Sequence, residues 1–563
     1  MSHYRKQFLY ILGSVLLLLC AAPLQAADAD LILKNGRIWT GDPENPWAEA
    51  IAIRRSRIVA VGNNLPVAQL AGPNSHVIDL GGRLAVPGFN DAHTHFVTNS
   101  LNMAEVDLSG DCSVAAMQKA VKDWAAAHPK EIWITGSGWR YECFSAHQLP
   151  ARQDLDAVVR DRPVFLRSWD GHAAWVNSKA LQLAGVGAHT RYTGSGQLGV
   201  DPKTGEPTGY LKEGARALVE KTIPETSREK KLAALEQGLK LAASMGITSI
   251  QNAGGDSETL ALFDELEKQR KLTARVNVAL TVSPSMQDDS VDHLLELKQN
   301  FHSFRVRAGA VKFVLDGSVE SHTAAMLAPY SDGSGSAKIA WTPEAYNAMV
   351  TLADSGGFQV FTHASGDKAV RMALDAYEDA RKANGSHDAR FRIEQIEAIA
   401  PADLARFSRL GVLASVQPVR ADPAMADFWS KALGPERLKL VFPWRSLEQA
   451  GARLVFSSDC PAMMRCDPIR GISAAVTRET PDGKPAGGWM AGQRVSVESA
   501  VRAFTVNGAY ASFEDRMKGK LKAGMLADVA VLSQDIFSIP PEEIYKTKVD
   551  LTIFDGQVIY TRQ

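Results

Sequence analysis

Between Ile247 and Asp459 the chain repeats one hydropathic unit. A glycine or small residue opens it, an apolar β-branched run follows, a polar tip ends it, and an amphipathic helical pattern comes next. Ile247 to Asn252, Val276 to Val282, Ala310 to Leu315, Phe358 to His363, Phe391 to Gln395, Val412 to Gln417 and Leu454 to Asp459 all fit this unit. Adding Leu84 to Val86 gives about eight strands, the number that closes a (β/α)8 barrel. Strands that are apolar on both faces and separated by helices belong to a parallel sheet covered by those helices. The expected fold class is therefore α/β, a TIM-like barrel. An open doubly wound sheet fits less well, because no Gly-x-Gly-x-x-Gly follows the first strand.

Both flanks carry a different pattern. Leu31 to Lys34, then Asn35-Gly36, then Arg37-Ile38 reads as strand, turn, strand, a hairpin. Ala50 to Gly62 alternates apolar and charged residues around Arg54 to Arg57 and predicts a second hairpin. Gly519 to Leu532 and Leu551 to Tyr560 repeat the style at the other end. The simplest arrangement is one β-sandwich built from both termini. The expected division is a leader over 1–26, sandwich over 27–84, barrel over 85–505 and the rest of the sandwich over 506–563.

An insertion of about 100–245 interrupts the barrel pattern, longer than the few residues that usually join strand to helix. Gly136 to Arg140, Gly171 to Ser178 and Gly205 to Glu213 read there as polar-aromatic loops. Loops over a barrel mouth select substrate. Trp139, His172 and Trp175 are accordingly candidate substrate contacts, with a packed core as the alternative for either tryptophan.

The first residues are not fold. Arg5 and Lys6 precede an apolar run from Phe8 to Leu19, and Pro23-Leu24-Gln25-Ala26 offers a small residue for cleavage. The run falls short of the roughly 20 residues needed to span a bilayer. The expectation is an exported protein, periplasmic or secreted, with no stable membrane association after cleavage. Four cysteines then remain, Cys112, Cys143, Cys460 and Cys466; export permits disulfides, and their pairing cannot be read from spacing. Lys and Arg number 62 against 63 Asp and Glu, with no basic block, which removes support for nucleic-acid binding. The partner expected is a small molecule, and a homo-oligomer is compatible with it.

The chemistry concentrates at strand ends. His93 and His95 stand one residue apart after Leu84-Ala85-Val86-Pro87-Gly88-Phe89-Asn90-Asp91-Ala92. Side chains i and i+2 of an extended chain share a face, and two neutral imidazoles facing one point suit a divalent transition metal. Lys312 lies in the apolar run Ala310 to Leu315, between Val311 and Phe313. Burial lowers a lysine pKa, and a neutral amine can take up carbon dioxide as a carbamate.

Pro-Gly-Phe-Asn-Asp-Ala-His-Thr-His resembles the first barrel strand of the amidohydrolase superfamily, in its YtcJ-like branch, which is similar to N-substituted formamide deformylases. The resemblance covers nearly all of the chain after the leader. It implies a carboxylated Lys312, a metal histidine at His363 on the fifth strand, and at Asp459 an aspartate that touches the metal and shuttles protons. Two positions depart from it. The sixth strand ends Arg392-Ile393-Glu394-Gln395 where the family has histidine last, and Arg420 replaces a histidine after Gln417-Pro418. The first metal position (His93, His95, Lys312, Asp459) is intact; the second (Lys312, His363, Gln395) is weakened, since an amide oxygen is a poorer zinc ligand than imidazole. Arg420 would put a fixed cation at the mouth and favour an anionic substrate, unless a salt bridge uses it.

The function expected is a metal-dependent hydrolase of non-peptide amide-type C–N bonds, with zinc as the metal. One rival is an ester or lactone hydrolase or a deaminase on the same centre. The other is an exported small-molecule binding protein whose metal site has decayed.

Overall fold

The computed structural model describes residues 28–563 except 145–148, 170, 195, 287–288 and 461–466. The expected leader, Cys20 and Cys466 lie outside the described residues.

Eight parallel strands form the central sheet, numbered here in chain order: β1 (Phe89–Thr94), β2 (Ile247–Gly255), β3 (Arg275–Thr281), β4 (Val306–Val314), β5 (Gln359–Ala364), β6 (Arg392–Gln395), β7 (Leu413–Val416) and β8 (Arg453–Phe456). Each pairs with the next in sequence. The sheet curls until β8 meets β1. Beyond the end of β8, Asp459 N donates to His93 O at 2.8 Å and His95 N donates to Cys460 O at 2.7 Å. Buried Asp91 accepts Ser458 N at 2.9 Å. The nearly closed barrel is thus stitched at its C-terminal rim, by the segments that carry His93, His95 and Asp459.

The first strand differs from its sequence reading. Leu84–Pro87 is not a barrel strand. It pairs with Arg37–Trp39 and Val529–Leu532 in a separate six-stranded sheet. The chain then crosses Gly88 into β1. A Cβ on Gly88 would stand 2.3 Å from Thr248 Oγ1, so only glycine allows this close approach to β2.

That six-stranded sheet joins N-terminal strands (Arg37–Trp39, Trp47–Ala48, Leu84–Pro87) with C-terminal ones (Val529–Leu532, Val549–Phe554, Gln557–Thr561). A four-stranded sheet (Ala29–Lys34, Ala50–Arg54, Arg57–Gly62, Ala71–Asp79) lies against it across an apolar layer that includes Leu33, Ile51, Val529 and Ile553. Ala50–Arg54 and Arg57–Gly62 form the predicted hairpin. The segments flanking Asn35-Gly36 do not: Ala29–Lys34 joins the four-stranded sheet and Arg37–Trp39 the six-stranded one. The turn, with Asn35 at φ 55°, sends the chain from one layer to the other.

The insertion is a compact unit. Val106–Asp107, Ile134–Trp139, Val164–Ser168, Ala173–Val176, Pro207–Glu213 and Gly196–Val200 build a mixed six-stranded sheet with its own apolar clusters. The three segments read as loops therefore lie largely in strands. A disulfide, Cys112–Cys143, ties two of its segments together.

Candidate metal centre

The site grows from alternation on short strands. His93 lies in β1 and His95 one residue past its end, on the same side of the chain. Lys312 lies in β4 between fully buried Val311 and Phe313, so its side chain faces the barrel interior. Gln395 ends β6, and Asp459 follows β8 by three residues. Gln395 and Asp459 have left-handed backbones, φ 80° and 54°. Such conformations cost of order 1–3 kcal/mol outside glycine and concentrate where a site requires them.

The donor atoms of His93, His95 and Asp459 all lie within 4.8 Å of one another. Asp459 Oδ1 is 3.4 Å from His93 Nε2 and 3.6 Å from His95 Nε2. Ligands at 2.0–2.1 Å around a tetrahedral ion stand about 3.3–3.4 Å apart, so the spacing matches a zinc-sized cation. Protonation supports the fit. His93 Nδ1 lies 2.6 Å from Glu394 Oε2 and serves as donor, leaving a bare lone pair on Nε2. Desolvation, with Lys312 adding to it at His93, holds both imidazoles below their ordinary pKa and hence neutral. An unprotonated nitrogen facing a carboxylate oxygen is repulsive unless a cation lies between them. The Asp459 carboxyl is held below its ordinary pKa against the upward push of burial, with the permanent Arg420 cation and the Gln395 amide among the groups that favour its ionised form.

Lys312 Nζ lies 3.4 Å from His93 Nε2, and no carboxylate stands within salt-bridge distance of it among the described residues. Burial brings its pKa down to about 8, against the pull of Glu394 and Asp459. An appreciable share of the amine is neutral near pH 8, the state that forms a carbamate.

The remaining expected ligands are arranged differently. Nε2 of His363 lies 3.0 Å from Gly317 O and 3.3 Å from Ser365 Oγ. Gln395 Nε2 donates to Asp459 Oδ2 at 2.8 Å, and its Oε1 is buried without a partner. The reverse amide orientation would set two acceptors against each other. Gln395 thus meets the cluster as a donor to Asp459, and among the described histidines, cysteines and carboxylates His363 does not join the three-residue donor group.

Arg420 does not supply a spare cation. Nη2 lies 2.8 Å from Glu397 Oε1 and 3.6 Å from Glu320 Oε2, and Nη1 lies 3.5 Å from Asp459 Oδ2. Three carboxylates surround one guanidinium, so the salt bridge replaces the expected attraction of an anionic substrate.

Trp139 and Trp175 are fully buried in the insertion core, in edge contact with Phe144. Their indole N–H groups donate to Leu166 O and Ala151 O, both at 2.8 Å. The substrate contact expected of them gives way to packing, since neither ring presents surface. His172 is half-exposed, with Nδ1 3.2 Å from Glu213 Oε1.

Sequence reasoning passed over the residues that orient the donors. Glu394 is fully buried and accepts from Arg392 Nε at 2.8 Å as well as from His93. Arg392 also reaches Ala92 O at 2.6 Å and Ser415 Oγ at 3.0 Å and stacks on Phe361. The available signal was two opposite charges at i and i+2 in a strand otherwise apolar.

Residues 76–560 match the model of the amidohydrolase family. The chain belongs to that family. It is a metal-dependent hydrolase of carbon–nitrogen bonds other than peptide bonds. Protein LONG AFTER FAR-RED 3 of Arabidopsis thaliana is 34% identical over 94% of this chain and 92% of its own length. An N-substituted formamide deformylase of Arthrobacter pascens is 28% identical over 95% and 98%, in keeping with the branch the sequence resembles. Among solved structures, an uncharacterized metal-dependent hydrolase of Pyrococcus furiosus is 28% identical, with a TM-score of 0.72 over 90% of this chain and 100% of its own.

Proposed function

We propose that this amidohydrolase is an exported enzyme that uses one tightly held zinc ion, bound by His93, His95 and Asp459 with a carboxylated Lys312, to hydrolyse an amide-type bond in a small molecule. The observation that carries the reading is the convergence of two neutral imidazoles and one ionised carboxylate oxygen within 4.8 Å of one another, with a buried amine 3.4 Å from His93 Nε2.

When bound, the metal supplies Lewis-acid polarisation of the scissile carbonyl and acidifies the attacking water. Asp459, anchored through Oδ2 by Gln395, accepts a proton from that water. As the C–N bond breaks, the same carboxyl returns the proton to the leaving nitrogen, giving a carboxylate and an amine. Glu394 fixes the His93 tautomer throughout, the usual service of a carboxylate behind a metal-binding imidazole. The relationship to a formamide deformylase supports a small acyl group on an N-substituted amine as the first substrate class to try.

Export is supported by the leader-like composition of 1–26 and by Cys112–Cys143, a pairing at home in oxidising compartments. The decayed-binder alternative loses ground, because the three donors keep a spacing that a metal can use. Elemental analysis of the purified protein, followed by a mass-spectrometric screen of N-formyl and N-acyl amines, cyclic ureides and matched esters, tests the reading. Chelator-sensitive release of amine is expected. Turnover restricted to esters, or unaffected by chelator, would overturn it.

A further inference from the structure

Asp459 divides its two oxygens. Oδ1 faces His93 Nε2 and His95 Nε2, while Oδ2 accepts Gln395 Nε2 at 2.8 Å and lies 3.5 Å from Arg420 Nη1. Arg420 is itself built in. Its side chain is 12% exposed, fully buried Glu397 holds it at 2.8 Å, and Glu320 stands 3.6 Å away. Glu397 is fixed in turn, accepting Val319 N at 2.8 Å. Three carboxylates therefore converge on one permanent cation at the side of Asp459 away from the two histidines. Acidic side chains gathered at a buried point need a compensating cation there. Guanidinium fills that need without a metal and cannot be deprotonated.

We infer that Arg420 is a positioning residue that stands in for a second metal ion: clamped by Glu397 and Glu320, it neutralises the Oδ2 side of Asp459 and keeps the site to one divalent ion. The inference rests on the one-metal reading above and adds what enforces it. Gln395 complements Arg420, since its N–H fills the other approach to Oδ2 and offers no lone pair in that direction. Removing the guanidinium would leave Asp459 Oδ2, Glu397 and Glu320 without their compensating cation, a deficit of charge that a divalent ion drawn in beside Asp459 would meet.

The test uses the whole protein, stripped with chelator and reloaded with Co(II), with stoichiometry and the Co(II)-dependent shift in thermal midpoint as readouts. About one Co(II) per chain is expected for wild type and for Arg420→Lys, which keeps the charge, and about two for Arg420→Met at the same free Co(II), the extra ion replacing the lost positive charge beside Asp459. Because Arg420→Met strands a buried Glu397, Arg420→His is measured beside it and is also expected to take up the extra ion. The second equivalent should raise the thermal midpoint of both variants and leave wild type unmoved. Two tightly held ions in wild type would overturn the inference, as would Met and His variants that both fold and stay at one. Failure of wild type to bind any Co(II) would overturn the metal reading as well, and so is distinguishable.

Discussion

His93 and Glu394 are locked together: Nδ1 of the imidazole lies 2.6 Å from Oε2 of the carboxylate, inside a barrel where both side chains are buried. The contact commits the ring proton to Nδ1 and leaves Nε2 for the cluster with His95 and Asp459. Among the described residues Glu394 is also the only carboxylate paired with Arg392. One side chain thereby serves the metal position and the charge balance of the barrel.

Replacing Glu394 by Gln should weaken metal affinity by ~10–100-fold, the usual effect of removing an outer carboxylate from a ligating histidine. It should also lower the thermal midpoint of the apoprotein, because breaking a buried pair leaves Arg392 charged and uncompensated, at a cost of ~3–5 kcal/mol. Chelator competition and calorimetry check the two effects separately. Unchanged affinity would mean that another group sets the His93 tautomer.

Lys312 gives a pH-dependent prediction. Its folded pKa is lowered to about 8, so the amine is mostly ammonium below that pH and mostly neutral above it. Carbamate forms only from the neutral amine. In apoprotein at fixed carbon dioxide pressure, the carbamate carbon resonance should therefore grow as pH rises through 8, and Lys312→Met should lack it. Lys312→Ala should lose most activity and regain part of it with acetate or propionate. No carbamate signal at pH 9 would end the idea.

Asp459→Asn should lower the chemical step by ~10²-fold or more, the scale for losing a general acid–base. Asp459 is also one of only three residues in the donor group, so the variant should need more added metal to saturate. Single-turnover rates at saturating zinc separate the two losses. Near wild-type turnover would assign the proton to another residue.

Trp139 should behave as core. Trp139→Ala should destabilise the protein by ~3–5 kcal/mol, the range for emptying a large aromatic site, and remove one hydrogen bond to the Leu166 carbonyl. Trp139→Phe should cost less and leave substrate preference unchanged. Denaturant unfolding and a substrate panel make the comparison. A changed preference without lost stability would return Trp139 to the binding surface.

Much of this was legible because barrel strands announce themselves. β2 to β8 are short, apolar on both faces and bounded by polar tips, and a parallel sheet covered by helices needs that pattern. His93, His95, Lys312 and Asp459 stand out for a related reason, since a metal-binding or ionisable side chain in or beside an apolar strand is costly without a use. Leu84–Pro87 misleads for the same reason in reverse. It is as apolar as any barrel strand, and hydropathy does not record whether its partner is β2 or Val529–Leu532.

The sequence by itself therefore determined the α/β barrel, since that follows from local hydropathic period, and it singled out His93, His95, Lys312 and Asp459 as candidates at the strand ends. Tertiary structure decided what depends on contacts between distant segments. It turned Asn35-Gly36 from a hairpin turn into a passage between sheets, and it buried Trp139 and Trp175. It aimed the Gln395 amide nitrogen, not its oxygen, at Asp459, and it gave Arg420 to Glu397, Glu320 and Asp459. A side chain's charge and hydrogen-bonding capacity are written in its identity. Which partner uses them is fixed only when the barrel closes and brings residues tens or hundreds of positions apart within 4 Å.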